Sequence, residues 1–287
     1  MKEMPKVKKK GIEKADLAKG MEKKSGKKNA VPQIDLMKLS QVLTKEEEIA
    51  FSQNLEVQLK AAGFGPSTKQ LDQFTTYYKL LIETNKTLNL TAITDPHEVA
   101  VKHMVDSLTA LSSVFKEGAK ILDLGTGAGF PGIPLAIWRP DLQITLFDSL
   151  QKRLKFLQSV ITHLGLKSVT TLHGRAEDLA HEPEHREAYD IVTSRAVARL
   201  PILLEWALPY VKLGGSVVAL KGAIYEEEIN SAGFALQTLG GTIEKVNTVT
   251  LPTLEDKRAV IYIKKVKYTP KKYPRKPKEI KTKPLEK

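Results

Sequence analysis

Between residues 44 and 118 the apolar positions recur three and four apart, the spacing of a helix face. Thr44 and Glu47 stand at capping-box spacing, and Phe51, Leu55 and Leu59 follow at helical intervals. Gly63 and the Gly65-Pro66 pair predict the end of that helix. A second helix carries Leu71, Phe74, Tyr78 and Leu81 on one face, and a loop follows at Asn89-Leu90-Thr91. In a third, Asp95, Pro96 and Glu98 take the N-cap, first and third helical positions. Its apolar stripe is Val101, Val105, Leu108 and Ser112. The three helices predict an N-terminal cap over residues 44–118.

From Lys120 the period changes. Short apolar runs at 121–124, 143–147, 169–173, 191–194 and 216–220 alternate with helical stretches, as in a βαβ protein. The clearest helix between them shows Leu154, Leu157, Ile161 and Leu164 on one face. A last helix is predicted over 224–239. Strands at 242–250 and 259–263 follow, with no room for a crossover helix, so they should pair antiparallel. The expected core, residues 119–264, is an α/β fold: a mostly parallel seven-stranded sheet with an antiparallel last hairpin. Beyond Lys264 a Lys/Pro-rich tail, 265–287, predicts no regular structure.

Composition narrows the chemistry. The 287 residues are 41% hydrophobic, enough for a sizeable core, and contain no cysteine. That excludes a disulfide framework, a cysteine zinc site and a cysteine nucleophile. No run approaches the ~20 apolar residues of a membrane span. The first 30 residues lack an apolar signal region, so a cytoplasmic protein is expected.

Charge is uneven. Residues 1–30 hold 11 lysines and 4 acids, and residues 264–287 hold 11 basic and 2 acidic residues, so the net +12 leaves −4 for residues 31–263. Residues 1–43 read as a basic, disordered extension. Lysine-rich tails suit a polyanion, most simply nucleic acid, or solubility alone. Tyr268 and Tyr273 stand among the C-terminal lysines and could stack on bases. On this reading residues 271–287 could be removed without harm to the fold.

The strongest motif is Ile121-Leu122-Asp123-Leu124-Gly125-Thr126-Gly127-Ala128-Gly129-Phe130-Pro131-Gly132, a strand, a Gly-rich turn and a helix start. A dinucleotide fingerprint needs glycine where Phe130 stands, and Asp123 would repel a diphosphate. A cationic ligand reverses the argument. S-adenosylmethionine carries a sulfonium and an ammonium and no phosphate. Asp148, at the end of the next strand, can accept both ribose hydroxyls. A loop after the third strand, at Gly174-Arg175-Ala176-Glu177-Asp178, would flank the adenine. No metal site is expected: the six histidines show no ligand spacing on a helix, and His181 and His185 lie in a polar loop.

The chain resembles the ribosomal RNA small subunit methyltransferase G family, also called glucose-inhibited division protein B. The resemblance rests on Asn89-Leu90-Thr91, His103-Met-Val-Asp-Ser-Leu108, Asp123 to Gly132, Asp148-Ser149 with Lys152-Arg153, Ala176-Glu177, Ser194-Arg195-Ala196-Val197-Ala198 and Leu220-Lys221-Gly222. It covers residues 44–275 and implies a class I, Rossmann-like fold. It also implies methylation of a guanine N7 in 16S ribosomal RNA, naked or in a small-subunit precursor. It implies cofactor contacts from Gly125, Phe130, Ala176, Glu177 and Arg195. With Asp123, Gly127, Gly129 and Asp148 these make the expected cofactor-binding set. A monomer is expected.

The residues allow that chemistry. Methylation at a pyrimidine C5 needs a cysteine, and the Pro-Pro-aromatic motif of exocyclic amine methylation is absent. A ring nitrogen with an in-plane lone pair loses no proton when it attacks, so no general base is expected and orientation carries the rate. Arg195 and Lys221 are the candidate catalytic residues. Arg195 could grip a carboxylate or phosphate bidentately, and Lys221 could touch phosphate or the guanine O6. His103 and Asp106 point away from their helix's stripe; they could face the cleft and orient the target, and a helix-surface pair is the favoured reading. The alternative is a class I methyltransferase acting on a small molecule or a protein.

Overall fold

The computed structural model describes residues 42–286, so all but the last two residues of the expected extension, 1–43, lie outside it. Helices α1 (Lys45–Ala61) and α2 (Thr68–Leu88) both open on capping boxes, at Thr44 with Glu47 and at Ser67 with Gln70. Helix α3 begins at Pro96 behind the Asp95 cap and runs Pro96–Val99, then a π-helical turn Ala100–Val105, then Asp106–Leu108.

The rest alternates strand and helix: β1 (Lys120–Leu124), α4 (Gly132–Trp138), β2 (Gln143–Asp148), α5 (Gln151–Leu164), β3 (Val169–His173), α6 (Ala176–Leu179), β4 (Tyr189–Arg195), α7 (Leu200–Ala207) and β5 (Val211–Lys221). Helices α8 (Tyr225–Ser231) and α9 (Gly233–Leu239) replace the single expected helix; the break falls at Ala232, beside Gly233. Strands β6 (Gly241–Val249) and β7 (Arg258–Lys265) close the sheet.

The seven strands run in the order β3-β2-β1-β4-β5-β7-β6. Pairs among the first five are parallel, while β7 pairs antiparallel with both β5 and β6. This is the expected class I arrangement. The insertion of β7 places Ala259 opposite Lys221, so Arg258 arrives at the carboxyl edge of β5.

One hydrophobic cluster joins the helical cap to one face of the sheet, with Phe51, Phe74, Tyr77 and Val105 packed together with Ile121, Leu146 and Leu157. A second cluster fills the other face. That second cluster corrects the reading of the tail. Tyr273 and Leu285 are buried in it, Ile280 is fully buried, and residues Pro277–Thr282 form a helix, α10. Arg186 donates to the carbonyls of Thr269 and Tyr273, at 2.8 and 3.0 Å. The Lys/Pro composition hid three apolar residues that the fold buries, Tyr273, Ile280 and Leu285. Among the described residues no helix is long and apolar enough to cross a membrane.

Candidate functional site

The Gly-rich turn joins β1 to α4 at the carboxyl edge of the sheet, where open α/β sheets bind ligands. Asp123 organises it. This carboxylate is fully buried; Oδ2 accepts from Thr126 Oγ1 at 2.6 Å and Gly132 N at 2.9 Å, and Oδ1 accepts from Thr193 Oγ1 at 3.2 Å. Burial pushes its pKa up to about 6, against the opposing pull of those hydrogen bonds. Asp123 was expected as a cofactor contact; its oxygens are instead spent inside the turn, a structural role.

Gly125 has φ +70, and a Cβ there would lie 2.6 Å from Val197 Cγ2, so only glycine lets the turn approach the loop after β4. Gly129 serves packing: a Cβ on it would meet Ile133, Leu157 and Tyr77 Oη within 2.8 Å. Gly127 donates its backbone N–H to Asp148 Oδ2 at 3.0 Å.

Asp148 ends β2, and Oδ1 accepts from Leu150 N at 2.8 Å. It borders a cleft of about 540 Å³ that is also lined by Gly125, Ala176, Glu177, Ala196 and Trp206. That size suits a nucleoside-sized ligand. Of the expected cofactor set, Gly125, Asp148, Ala176 and Glu177 share this cleft. Asp123, Gly127, Gly129, Phe130 and Arg195 do not line it.

Phe130 and Arg195 belong to a neighbouring cluster. The Phe130 ring packs against Tyr77 and His103, with centroids 5.3 and 4.5 Å away, and the Arg195 guanidinium lies 4.9 Å from its centroid. Arg195 Nη1 donates to Lys102 O at 2.8 Å and to Asp106 Oδ2 at 3.0 Å, and Nη2 lies 3.3 Å from His103 Nδ1. His103 Nδ1 also lies 3.2 Å from Lys102 O, and Nε2 faces Thr91 Oγ1 at 2.9 Å. Asn85 Oδ1 in turn holds Thr91 N at 2.9 Å. Burial, and then the Arg195 charge, lower the His103 pKa to about 3.

His103 and Asp106 are therefore not a surface pair. The π-helical turn shifts the register of α3, and the face that 3.6-residue periodicity assigned to solvent abuts β4 and β7. Both residues line a second cavity of about 460 Å³, together with Arg195, Lys221 and Arg258. The two cavities share Ala196 and Val197 as a partition. Ala196 has φ +56, a conformation that costs an alanine roughly 1–2 kcal/mol.

Lys221 was expected to be free for phosphate or a base. Its ammonium instead donates to Ala198 O and Glu228 Oε2, at 2.5 and 2.6 Å, in a pair that is nearly fully buried. Burial lowers its pKa, against the pull of Glu228. The same Glu228 oxygen accepts from Leu200 N at 2.6 Å, so the pair ties down the strained loop that begins at Ala196. Arg258, whose Nη1 lies 3.5 Å from Asp106 Oδ1, and Glu228 escaped the sequence reading. Neither sits in a motif; only the strand order brings them to the site.

The cleft fits S-adenosylmethionine. Asp148 and Glu177 offer carboxylates to hydroxyls and to a cation, and glycine at 125 keeps the wall open. The indole N–H of Trp206 is buried at that wall with no acceptor among the described residues. Among those residues no group of acids and histidines could hold a metal ion.

Comparison with known proteins agrees with the geometry. The profile of the rRNA small subunit methyltransferase G family matches residues 70–260. The Ribosomal RNA small subunit methyltransferase G of Desulforamulus reducens is 49% identical over 228 residues, covering 78% of this chain and 95% of that protein. The protein of the same name from Halalkalibacterium halodurans is 51% identical over 220 residues, covering 76% and 92%. The one from Lactobacillus acidophilus is 49% identical over 222 residues, covering 76% and 92%. With a matched stretch that spans the glycine turn, Asp148 and the Arg195 cluster, this chain belongs to the rRNA small subunit methyltransferase G family and is an S-adenosylmethionine-dependent methyltransferase.

Proposed function

We propose that the chain methylates N7 of a guanine in 16S ribosomal RNA, alone or in a small-subunit precursor, as a cytoplasmic monomer. The 540 Å³ cleft takes the cofactor, with Asp148 on the ribose and Ala176 and Glu177 beside the adenine. The second cavity takes the target base. When bound, the cofactor supplies a methyl group on a sulfonium.

One observation carries the choice of a ring nitrogen: among the described residues, the second cavity has no side chain free to take a proton. Asp106 is held between Arg195 and Arg258, and Glu228 is bonded to Lys221. His103, with its pKa near 3, is a feeble base. An attack that releases no proton needs none of them. The protein's contribution is then orientation and exclusion of water. Arg195, braced by Asp106 and Phe130, stands at the partition and fixes where the base can lie. Lys221 acts through Glu228 by holding the loop in place.

The test is transfer of labelled methyl from S-adenosylmethionine to small-subunit RNA lacking the modification, followed by nucleoside analysis. Label in 7-methylguanosine is expected. Label in another nucleoside, or only in protein, overturns the reading.

A further inference from the structure

The C-terminal segment does not merely pack against the core; it meets the cofactor cleft. Pro277 and Lys281 line that cleft, one helical turn apart on the same face of α10. Two residues before Pro277, Arg275 makes a fork with Glu205, which is wholly buried. Glu205 Oε1 accepts from Arg275 N and Nε, both at 2.9 Å, and Oε2 accepts from Nη2 at 2.7 Å. The next residue after Glu205 is Trp206, which lines the cleft from α7. One ion pair thus anchors both sides of a single wall. His181 adds a second tether, with Nε2 2.9 Å from Pro274 O.

We propose that α10 is a built wall of the cofactor cleft, latched by Glu205 and Arg275, so that docking of the C-terminal segment and binding of S-adenosylmethionine are coupled. This rests on the assignment of that cleft to the cofactor. Binding that closes on a wall favours the docked state, and the docked state in turn favours binding by the same factor. Glu205 and Arg275 are positioning residues; Pro277, Lys281 and Trp206 are the surfaces that they present. A basic composition that suits nucleic acid would then serve the donor site as well.

The absence of cysteine allows a direct test on the full chain. Lys281→Cys and Glu279→Cys each introduce a single thiol at an exposed position, the second on the opposite face of α10. S-adenosylmethionine should slow maleimide labelling of the Lys281→Cys protein at least fivefold and leave the Glu279→Cys protein unchanged. Equal rates with and without the cofactor at Lys281→Cys overturn the wall. Calorimetry on the unaltered chain separates the two readings. Binding without protection overturns the wall alone; no binding overturns the cofactor assignment beneath it. For the latch, Arg275→Lys keeps the charge and loses the fork. It should weaken S-adenosylmethionine and S-adenosylhomocysteine alike, by about tenfold. Unchanged affinity in the folded variant overturns the latch. In a Trp138→Phe background Trp206 is the remaining tryptophan, and its emission should shift when the cofactor binds.

Discussion

Arg195 Nη1 lies 3.0 Å from Asp106 Oδ2, which joins the end of the fourth strand to the helix that precedes the first. Asp106 also faces Arg258 from the seventh strand, so one carboxylate serves two guanidinium groups from different parts of the chain. All three are largely buried. Desolvated charges of this kind add little net stability while paired and cost much when one partner is removed.

Asp106→Ala should therefore destabilise the protein by about 3–5 kcal/mol, since it leaves Arg195 without a carboxylate partner, while Arg258 keeps Asp256. Asp106→Asn keeps the shape and should cost less, while still lowering methyl transfer because Arg195 loses its brace. Denaturant melts together with single-turnover rates measure the two effects. A folded Asp106→Asn protein with the unaltered rate would show that the brace has no bearing on the reaction.

Asp148→Ala should weaken S-adenosylmethionine binding by about 1.5–3 kcal/mol through loss of charge-assisted hydrogen bonds to the ribose. The same carboxylate accepts from Gly127 N and Leu150 N, so some stability goes with it. Asp148→Asn retains an acceptor for the turn and is the better variant for calorimetry. Equal affinity in a folded Asp148→Asn protein and the unaltered one would remove the ribose from its role.

The pH dependence follows from His103. Its pKa falls from 6.5 to about 3 on folding, because burial and Arg195 disfavour the charged ring. Between those values the unfolded chain binds a proton that the folded protein refuses. Stability attributable to His103 is thus present above about 6.5 and is lost as the pH falls toward 3. Asp123 acts in the opposite sense: its pKa is raised from 3.8 to about 6, so its effect makes the fold less stable as the pH rises through that window. Comparison with His103→Gln isolates the first effect. Between about pH 7.5 and 5.5 the unaltered protein should lose more stability than the variant, and the His103 ring should show no NMR titration from about pH 5 to 8.

With no proton to accept, the chemical step should be nearly flat between about pH 7 and 8.5. A single-turnover profile rising about tenfold per pH unit in that range would point to a different target atom.

Removing residues 271–287 takes Arg275 from the wholly buried Glu205 and removes the buried side chains of Tyr273, Ile280 and Leu285. The unpaired carboxylate alone should cost about 3–5 kcal/mol, read as a lower thermal midpoint. Binding of RNA has to be tested differently. Lys271, Lys272, Lys276 and Lys278 are exposed. Changing them together to glutamine should leave the fold intact and weaken RNA binding. It should also flatten the salt dependence, by about 0.7 for each phosphate of single-stranded RNA that is no longer neutralised. Tyr273 is buried and takes no part, whereas Tyr268 is 67% exposed and free to stack on bases.

Local patterns were enough for the elements and for the class of ligand. The capping box at Thr44, the alternation of strand and helix, and the glycine turn with acids at two strand ends depend on neighbours a few residues apart. The sequence could therefore exclude a diphosphate and point to a cationic nucleoside. It could not say which acid borders the cleft and which is sealed inside the turn, because that depends on what packs over Asp123 and Asp148. His103 and Asp106 were misplaced because one π-helical turn rotates the helix face, and periodicity assumes a constant 3.6 residues per turn. Arg258 and Glu228 reach the site through strand order and helix packing. The tail was misread because its composition favours solvent, while Glu205 and an apolar groove, formed only when distant segments meet, hold it down. Short-range sequence sets what each segment can become; buried charge, desolvated only in the assembled fold, decides which of its side chains are left to do chemistry.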